Sequence, residues 1–308
     1  MSKLIRRAFS GEADLWAMAA LVHHAPVDNL HVADLPWRFS SWALDYPDNV
    51  GLWVNADGQL LAWAALQSPW WAVDYALHPD AGKDLHRQLL AWADDRARQT
   101  LGTPSGQPAW FVNVFAGQSD RIRDLEQAGF ASQANIGEDS WSKVLMRRPA
   151  QTPVPDYTLP SGVTIRPLAG ESEVSAYVGL QRTVFESENM TVGWRSRTLR
   201  MPQYIADLDL VAVAPDGDLV AFCICWLDQA ADPVSGQVEP LGVHPDWRRS
   251  GLGRAILSEG LRRLRSHGAR QISVETDNYR GAALDLYESA GFRVIQDVLV
   301  YGKTYEDT

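Results

Sequence analysis

The chain has 308 residues, about twice the usual domain length, so two domains are expected, each long enough to bury its own core. Its composition, 46% hydrophobic and 21% charged, is that of a globular protein and excludes a disordered or collagen-like polymer. Acidic residues outnumber basic ones by 38 to 28, a formal charge of −10. This argues against nucleic acid or an anionic membrane surface as the main partner, because phosphate contacts need clustered Lys and Arg.

In chain order, Lys3, Arg6 and Arg7 are followed by Glu12 and Asp14, where a signal peptide would need its apolar segment. Leu4 and then Leu15 to Val22 read as a short apolar run followed by helical periodicity. His23-His24 has no companion ligand, and no metal is expected. The longest charge-free apolar stretch, Gly58 to Val73, is 16 residues and includes Gln59, Gln67, Ser68 and Pro69, too short and too polar to cross a bilayer. A cytoplasmic protein is expected. Ten of the 13 Trp lie before residue 142, with Trp37, Trp42, Trp70 and Trp71 as candidates for a pocket wall.

Pro149, Pro153, Pro155 and Pro160 fix an extended linker near the middle of the chain. The expected division is therefore residues 1–148, a linker at 149–162, and residues 163–308. Two short strings repeat across it. Leu77-His-Pro-Asp80 recurs as Val243-His-Pro-Asp246, and Gln127-Ala-Gly-Phe130 as Ser289-Ala-Gly-Phe292, at offsets of 166 and 162. A duplicated domain is expected.

In the second half, Val163-Ile165 precedes a helical pattern from Val174 to Phe185. Leu210-Val213 and Leu219-Trp226 read as strands around an Asp216-Gly217 turn, with Val238-Val243 as the next strand. Cys223 and Cys225 lie two apart on one of these strands, roughly 7 Å from each other, and are expected to be reduced core residues. Leu252, Ile256, Leu261 and Leu264 recur at helical spacing before Gly268. Gln271-Thr276, a helix through Ala283, Leu286, Tyr287 and Ala290, and strands at Phe292-Ile295 and Val298-Tyr301 complete the half. The expected class is mixed α/β.

The chemistry is concentrated in Glu239-Pro-Leu-Gly-Val-His-Pro-Asp-Trp-Arg-Arg-Ser-Gly-Leu-Gly-Arg254. A strand ends, a short loop follows, and Gly251 and Gly253 lead into a helix whose unpaired amides and partial positive charge form a cradle for a pyrophosphate. Pro240 cannot donate to a ladder, so its strand should bulge or lose pairing there. His244 is expected to be structural, since His78 occupies the matching place. Gln237 competes with Glu239 for the cleft but carries no basic group.

The string Val-x-Pro-x-x-Arg-x-x-Gly-x-Gly resembles the GNAT superfamily of acyl-CoA-dependent N-acyltransferases, as does Asn278 followed by Leu286-Tyr-Glu-Ser-Ala-Gly-Phe292. The resemblance implies two tandem GNAT-like domains, mixed α/β with mostly antiparallel sheets and flanking helices. It implies acetyl-CoA as co-substrate, its pyrophosphate held by Arg248, Arg249, Ser250, Gly251, Leu252, Gly253 and Arg254. Pantetheine would pair with Leu241, Gly242 and Val243, and Asn278 would contact CoA. Glu239 would be the general base and Tyr287 the acid that protonates the departing thiolate.

The first half departs from this pattern. Gly82-Lys-Asp-Leu-His-Arg87 stands in place of the glycine loop, Leu125 in place of Tyr287 and Ala116 in place of Asn278. It reads as a degenerate copy that does not hold CoA. Glu186 and Glu188 follow the first helix of the second half. With Glu239 they would surround the acceptor with carboxylates lacking a basic counterpart, which favours a cation. The expected reaction is acetyl transfer from acetyl-CoA to the primary amine of a small molecule by direct attack. The other reading is a CoA-binding module without catalysis. The oligomeric state is left open.

Overall fold

The computed structural model describes residues 4–82, 84–134, 142–277 and 281–305. They form two compact units, Met1–Lys143 with Gln296–Thr308, and Val144–Ile295.

The first unit runs β1 (Ile5–Ala8), α1 (Glu12–His24), α2 (Leu35–Phe39), β2 (Val50–Val54), β3 (Leu60–Gln67), β4 (Ala72–Leu77), α3 (Leu85–Thr100), β5 (Ala109–Phe115), α4 (Ser119–Gln127) and the short β6 (Ala131–Ser132). Strands β1 to β4 pair antiparallel in sequence order, and β5 joins β4 in parallel. Leu85, Leu89, Leu90, Ala93 and Ala97 put one stripe of α3 against the sheet. The core packs them with Trp53, Leu66, Trp110 and Leu125.

The second unit opens within β7 (Ser142–Pro149) and repeats the order: β8 (Thr164–Pro167), α5 (Val174–Phe185), α6 (Val192–Arg200), β9 (Asp209–Val213), β10 (Leu219–Asp228), β11 (Ser235–Val243), α7 (Leu252–Ser266), β12 (Gln271–Asp277) and α8 (Gly281–Ser289). Its sheet order is β7-β12-β11-β10-β9-β8, with β11–β12 parallel and β8 to β11 antiparallel. The expected hairpin forms around Gly217, whose φ of 96° needs a residue without a Cβ. Leu252, Ile256, Leu257, Leu261 and Leu264 are the buried stripe of α7. The mixed α/β class and the mostly antiparallel sheet hold in both units.

The repeat extends to detail. His78 and His244 each accept a hydrogen bond at Nδ1 from the amide two residues on, Asp80 at 3.1 Å and Asp246 at 3.3 Å. The imidazoles hold the turns that follow β4 and β11, the structural role the sequence suggests.

Two features depart from the sequence reading. Phe292-Ile295 and Val298-Tyr301 are not separate strands. They lie on one strand or at its edge, β13 (Arg293–Thr304), and from Gln296 onward the chain belongs to the first unit. There it pairs antiparallel with β5 from Val298↔Phe115 to Thr304↔Ala109. The proline-rich stretch 149–162 is irregular but seated on the second unit. Ala150 N–H donates to Arg270 O (2.9 Å), Arg262 donates to Pro155 O (3.4 Å), and Val154 and Leu159 pack on the core. The prolines keep it extended and lack an N–H of their own, and Arg262 of α7 donates to one of its carbonyls.

Candidate active site

Strand β11 is irregular where Pro240 interrupts it. Cys225 pairs with Val238 and Cys223 with Leu241, so three steps on β11 oppose two on β10. The bulge places Glu239 and Pro240 opposite Ile224. Trp226 Nε1 donates to the Glu239 carbonyl at 2.7 Å, fixing the bulged backbone, and the Glu239 side chain is half-buried. Among the described residues the parallel ladder to β12 ends at Gln237↔Ser273. Past it, Leu241, Gly242 and Val243 pair with β10 on one side only. Gly242 is required there: a Cβ would lie 2.5 Å from Phe222 Cζ and 2.6 Å from Val184 Cγ1.

The loop that follows is built for close approach. Arg249 (φ 62°) and Gly251 (φ 84°) are left-handed, and a Cβ at Gly251 would meet open space. The glycine is there for its conformation and for the room it leaves. The first bond into α7 runs from Ala255 N–H to Gly251 O (3.0 Å), so the amides ahead of it point out of the helix start. Leu252 anchors the turn in the core. Gly253 brings α7 to within 3.5 Å of Val243 Cγ2 and 3.8 Å of Leu286 Cδ2, measured from the Cβ it lacks. Ser250 Oγ donates to Trp247 O at 2.6 Å. Arg248 is exposed and bends back, donating to Val243 O (3.4 Å) and Val184 O (3.3 Å), which ties the loop to the end of α5. Arg249 and Arg254 are exposed.

Tyr287 sits on the inner face of α8, 7% exposed, its ring edge-on to Phe292 at 5.7 Å. Burial, followed by the charge of Glu239, raises its pKa far above that of an ordinary phenol. The hydroxyl therefore stays protonated and able to donate. The influence of Glu239 also shows that base and acid candidates share one electrostatic neighbourhood. Asn278 lies outside the described residues.

The acidic rim is different from the expectation. Glu186 and Glu188 are both exposed, and Arg182 Nη1 lies 2.6 Å from Glu188 Oε2. The expected absence of a basic counterpart is thus corrected: Arg182, one turn back on α5, neutralises Glu188. Glu186 ends α5 in a left-handed conformation, φ 50°.

Residues 182–292 match the acetyltransferase (GNAT) family model. The matched stretch lies wholly in the second half of the chain and is similar to that family. The mycothiol acetyltransferase of Thermobispora bispora is 34% identical over 155 residues, 48% of this chain and 52% of that protein. That of Thermomonospora curvata is 34% identical over 159 residues, 50% and 52% respectively. The match thus spans about half the length of these relatives. Over nearly the full chain, the fold resembles a GCN5-related N-acetyltransferase from Sphaerobacter thermophilus (TM-score 0.66, 23% identity, 98% of this chain and 95% of that one). It also resembles a tandem GNAT protein of the clavulanic acid biosynthesis pathway (TM-score 0.67, 14% identity, 99% and 100%). At these identities the likeness concerns the fold alone.

One residue of the second half escaped the sequence reading. Tyr177, on the buried stripe of α5, is fully buried, and its hydroxyl has no hydrogen-bond partner among the described residues. Its ring stacks under the Arg195 guanidinium at 3.9 Å and meets Phe222 at 5.2 Å. Arg195 is itself paired with the buried Asp209, which also accepts from Tyr204 at 2.8 Å. Glu239 is among the charges that reach Tyr177. The signal was an aromatic at i+3 from Val174; its partners, on other elements, carry no spacing that reveals them. Cys223 and Cys225 are free and buried, sulfurs 3.7 Å apart, and Gly260 of α7 leaves the room they occupy. Among the described residues no helix is long and apolar enough to cross a membrane.

Proposed function

We propose that the second unit transfers an acetyl group from acetyl-CoA to the primary amine of a small molecule by direct attack. The observation that carries this reading is the bulge at Glu239–Pro240. It releases one edge of β11 between a glycine-shaped helix start and the buried hydroxyl of Tyr287.

The residues fit the co-substrate. The outward amides ahead of Ala255, with the open space at Gly251, suit a pyrophosphate, and Arg249 and Arg254 stand beside them as exposed cations. The unpaired edge at Leu241–Val243 suits the amides of pantetheine. The Val243 amide on the open edge stabilises the oxyanion, at about 3 kcal/mol per donor. The bound ammonium first releases one proton to solvent, which frees its lone pair, and Glu239 takes the second proton as nitrogen bonds to the acetyl carbon. The carbon–sulfur bond breaks, and Tyr287 delivers its proton to the thiolate. The acceptor is bound as a cation beside Glu186, whose charge no ion pair among the described residues offsets.

The test is a mass-spectrometric screen of small amines with acetyl-CoA and the full chain. A acetylated amine is expected, with formation strongly reduced by Glu239→Gln. In the same assay Glu186→Gln should raise the amine KM and leave that for acetyl-CoA in place. Acetyl-CoA binding with its thioester left intact by every amine would instead mark a binding module.

A further inference from the structure

The first unit has a cavity of its own, at the place where β4 and β5 part. Among the described residues their parallel ladder is the single pair Ala72↔Phe111. Trp63, Asp74, Tyr75, Asn113, Arg121 and His31 are among the residues that line it, and its volume is about 40 Å³. On this measure one water needs about 10–15 Å³, so the space is large enough for a small polar group. The Trp pocket-wall candidates Trp37, Trp42, Trp70 and Trp71 do not line it; Trp63 does.

The charges around the cavity are unevenly matched. Asp74 is held in a fork by Arg38, at 2.5 and 2.8 Å, and Arg38 stacks on Trp70 at 4.3 Å. Asp34 bonds to His31 Nδ1 at 2.9 Å, and Asp124 to His86 Nδ1 at 3.0 Å. Asp28, at the exposed rim, gives Arg121 its backbone carbonyl at 2.9 Å. Arg121 itself has no carboxylate within ion-pair distance among the described residues. Its guanidinium lies 5.6 Å from the Tyr75 ring centre. Two further polar groups belong to the lining: the Asn113 amide, and His31 Nε2, which is buried and has no protein partner among the described residues. Buried polar atoms are seldom left unpaired, and a planar guanidinium fork matches a planar carboxylate.

We infer that this cavity is a binding site for the carboxylate group of a small molecule, held by Arg121 with Asn113 beside it. A carboxylate is planar and offers two oxygens to the guanidinium fork, the pairing that suits Arg best. An amine would find Asp74, Asp34 and Asp124 already occupied and Arg121 opposing it. The inference does not depend on the reaction proposed for the second unit.

The test titrates acetate into the full chain carrying Gly251→Glu, which closes the α7 loop to anions. Acetamide and methylammonium are the size-matched controls, and backbone amide shifts in β4 and β5 are the readout. Acetate should shift Tyr75 and Asn113 saturably and the controls should not. Arg121→Met should weaken acetate about ten- to a hundredfold, the loss of a charged hydrogen-bond pair. Asn113→Leu, which leaves the guanidinium in place, is the second variant should the first not fold, and should weaken acetate as well. Acetate that leaves β4 and β5 unmoved, a control that binds as tightly, or affinity retained in the variants would overturn the assignment.

Discussion

Tyr287 and Glu239 are coupled through space, and the sign of the coupling matters. The negative charge of Glu239 raises the Tyr287 pKa on top of the larger effect of burial. In the proposed reaction, transfer of the amine proton to Glu239 would remove that charge and make Tyr287 the stronger acid as the thiolate leaves. Tyr287→Phe should therefore lower kcat by roughly 10² to 10⁴ while calorimetric affinity for acetyl-CoA stays within error. An unchanged kcat with lost affinity would make Tyr287 a binding residue. The glycine loop and Tyr287 were legible in the sequence because a turn with a positive φ and a helix stripe are local requirements. The Arg182–Glu188 pair was not, because charge composition in a loop does not say which side chains meet. Tyr177 was hidden for a similar reason: Arg195 and Asp209, which surround it, come from α6 and β9.

At the level of elements, β11 is held in shape from its neighbours. Phe222 of β10 and Val184 of α5 close on Gly242, so Gly242→Ala should cost roughly 1–3 kcal/mol by overpacking, read as a lower urea midpoint. The Pro240 bulge was legible, since proline has no ladder donor. Helix α1 provides a pH prediction. Asp14, in its first turn, accepts from Ser10 N–H (2.7 Å) and is forked by Arg7 at 2.8 and 2.5 Å. The Arg7 hydrogen bonds lower its pKa from 3.8 to about 2. A depressed carboxyl contributes stability that is present above its unfolded pKa and lost as pH falls through the folded one. Between about pH 4 and 2 the chain should lose stability that Asp14→Asn does not. The effect is on the order of 1 kcal/mol, since Arg7 is 40% exposed and screened by solvent. Urea melts at a series of pH values will show it; parallel curves for the two proteins would refute it.

Across the whole molecule the two units share an order of elements, yet of the matching helices α3 and α7 only α7 has a start led by a left-handed glycine. In the first unit α3 begins at a buried Leu85, and Asp84 at its head pairs with Arg87. A carboxylate stands where a pyrophosphate would need to lie. Calorimetry on the full chain should give a single tight CoA site, lost in Gly251→Glu; two equivalent sites would refute the degenerate-copy reading. The duplication was legible from two short strings. The exchange of the last strand was not: alternation along 298–304 shows which face is buried, not which sheet receives it. That exchange has a consequence for synthesis. The first unit leaves the ribosome with β5 bare along one edge, and the strand that covers it is made about 150 residues later, roughly ten to thirty seconds at ordinary elongation rates. During that interval the exposed edge is the part of the nascent chain most open to pairing with a neighbour on the same message. A stop codon near residue 296 would leave β5 bare for good and so harm the unit translated first.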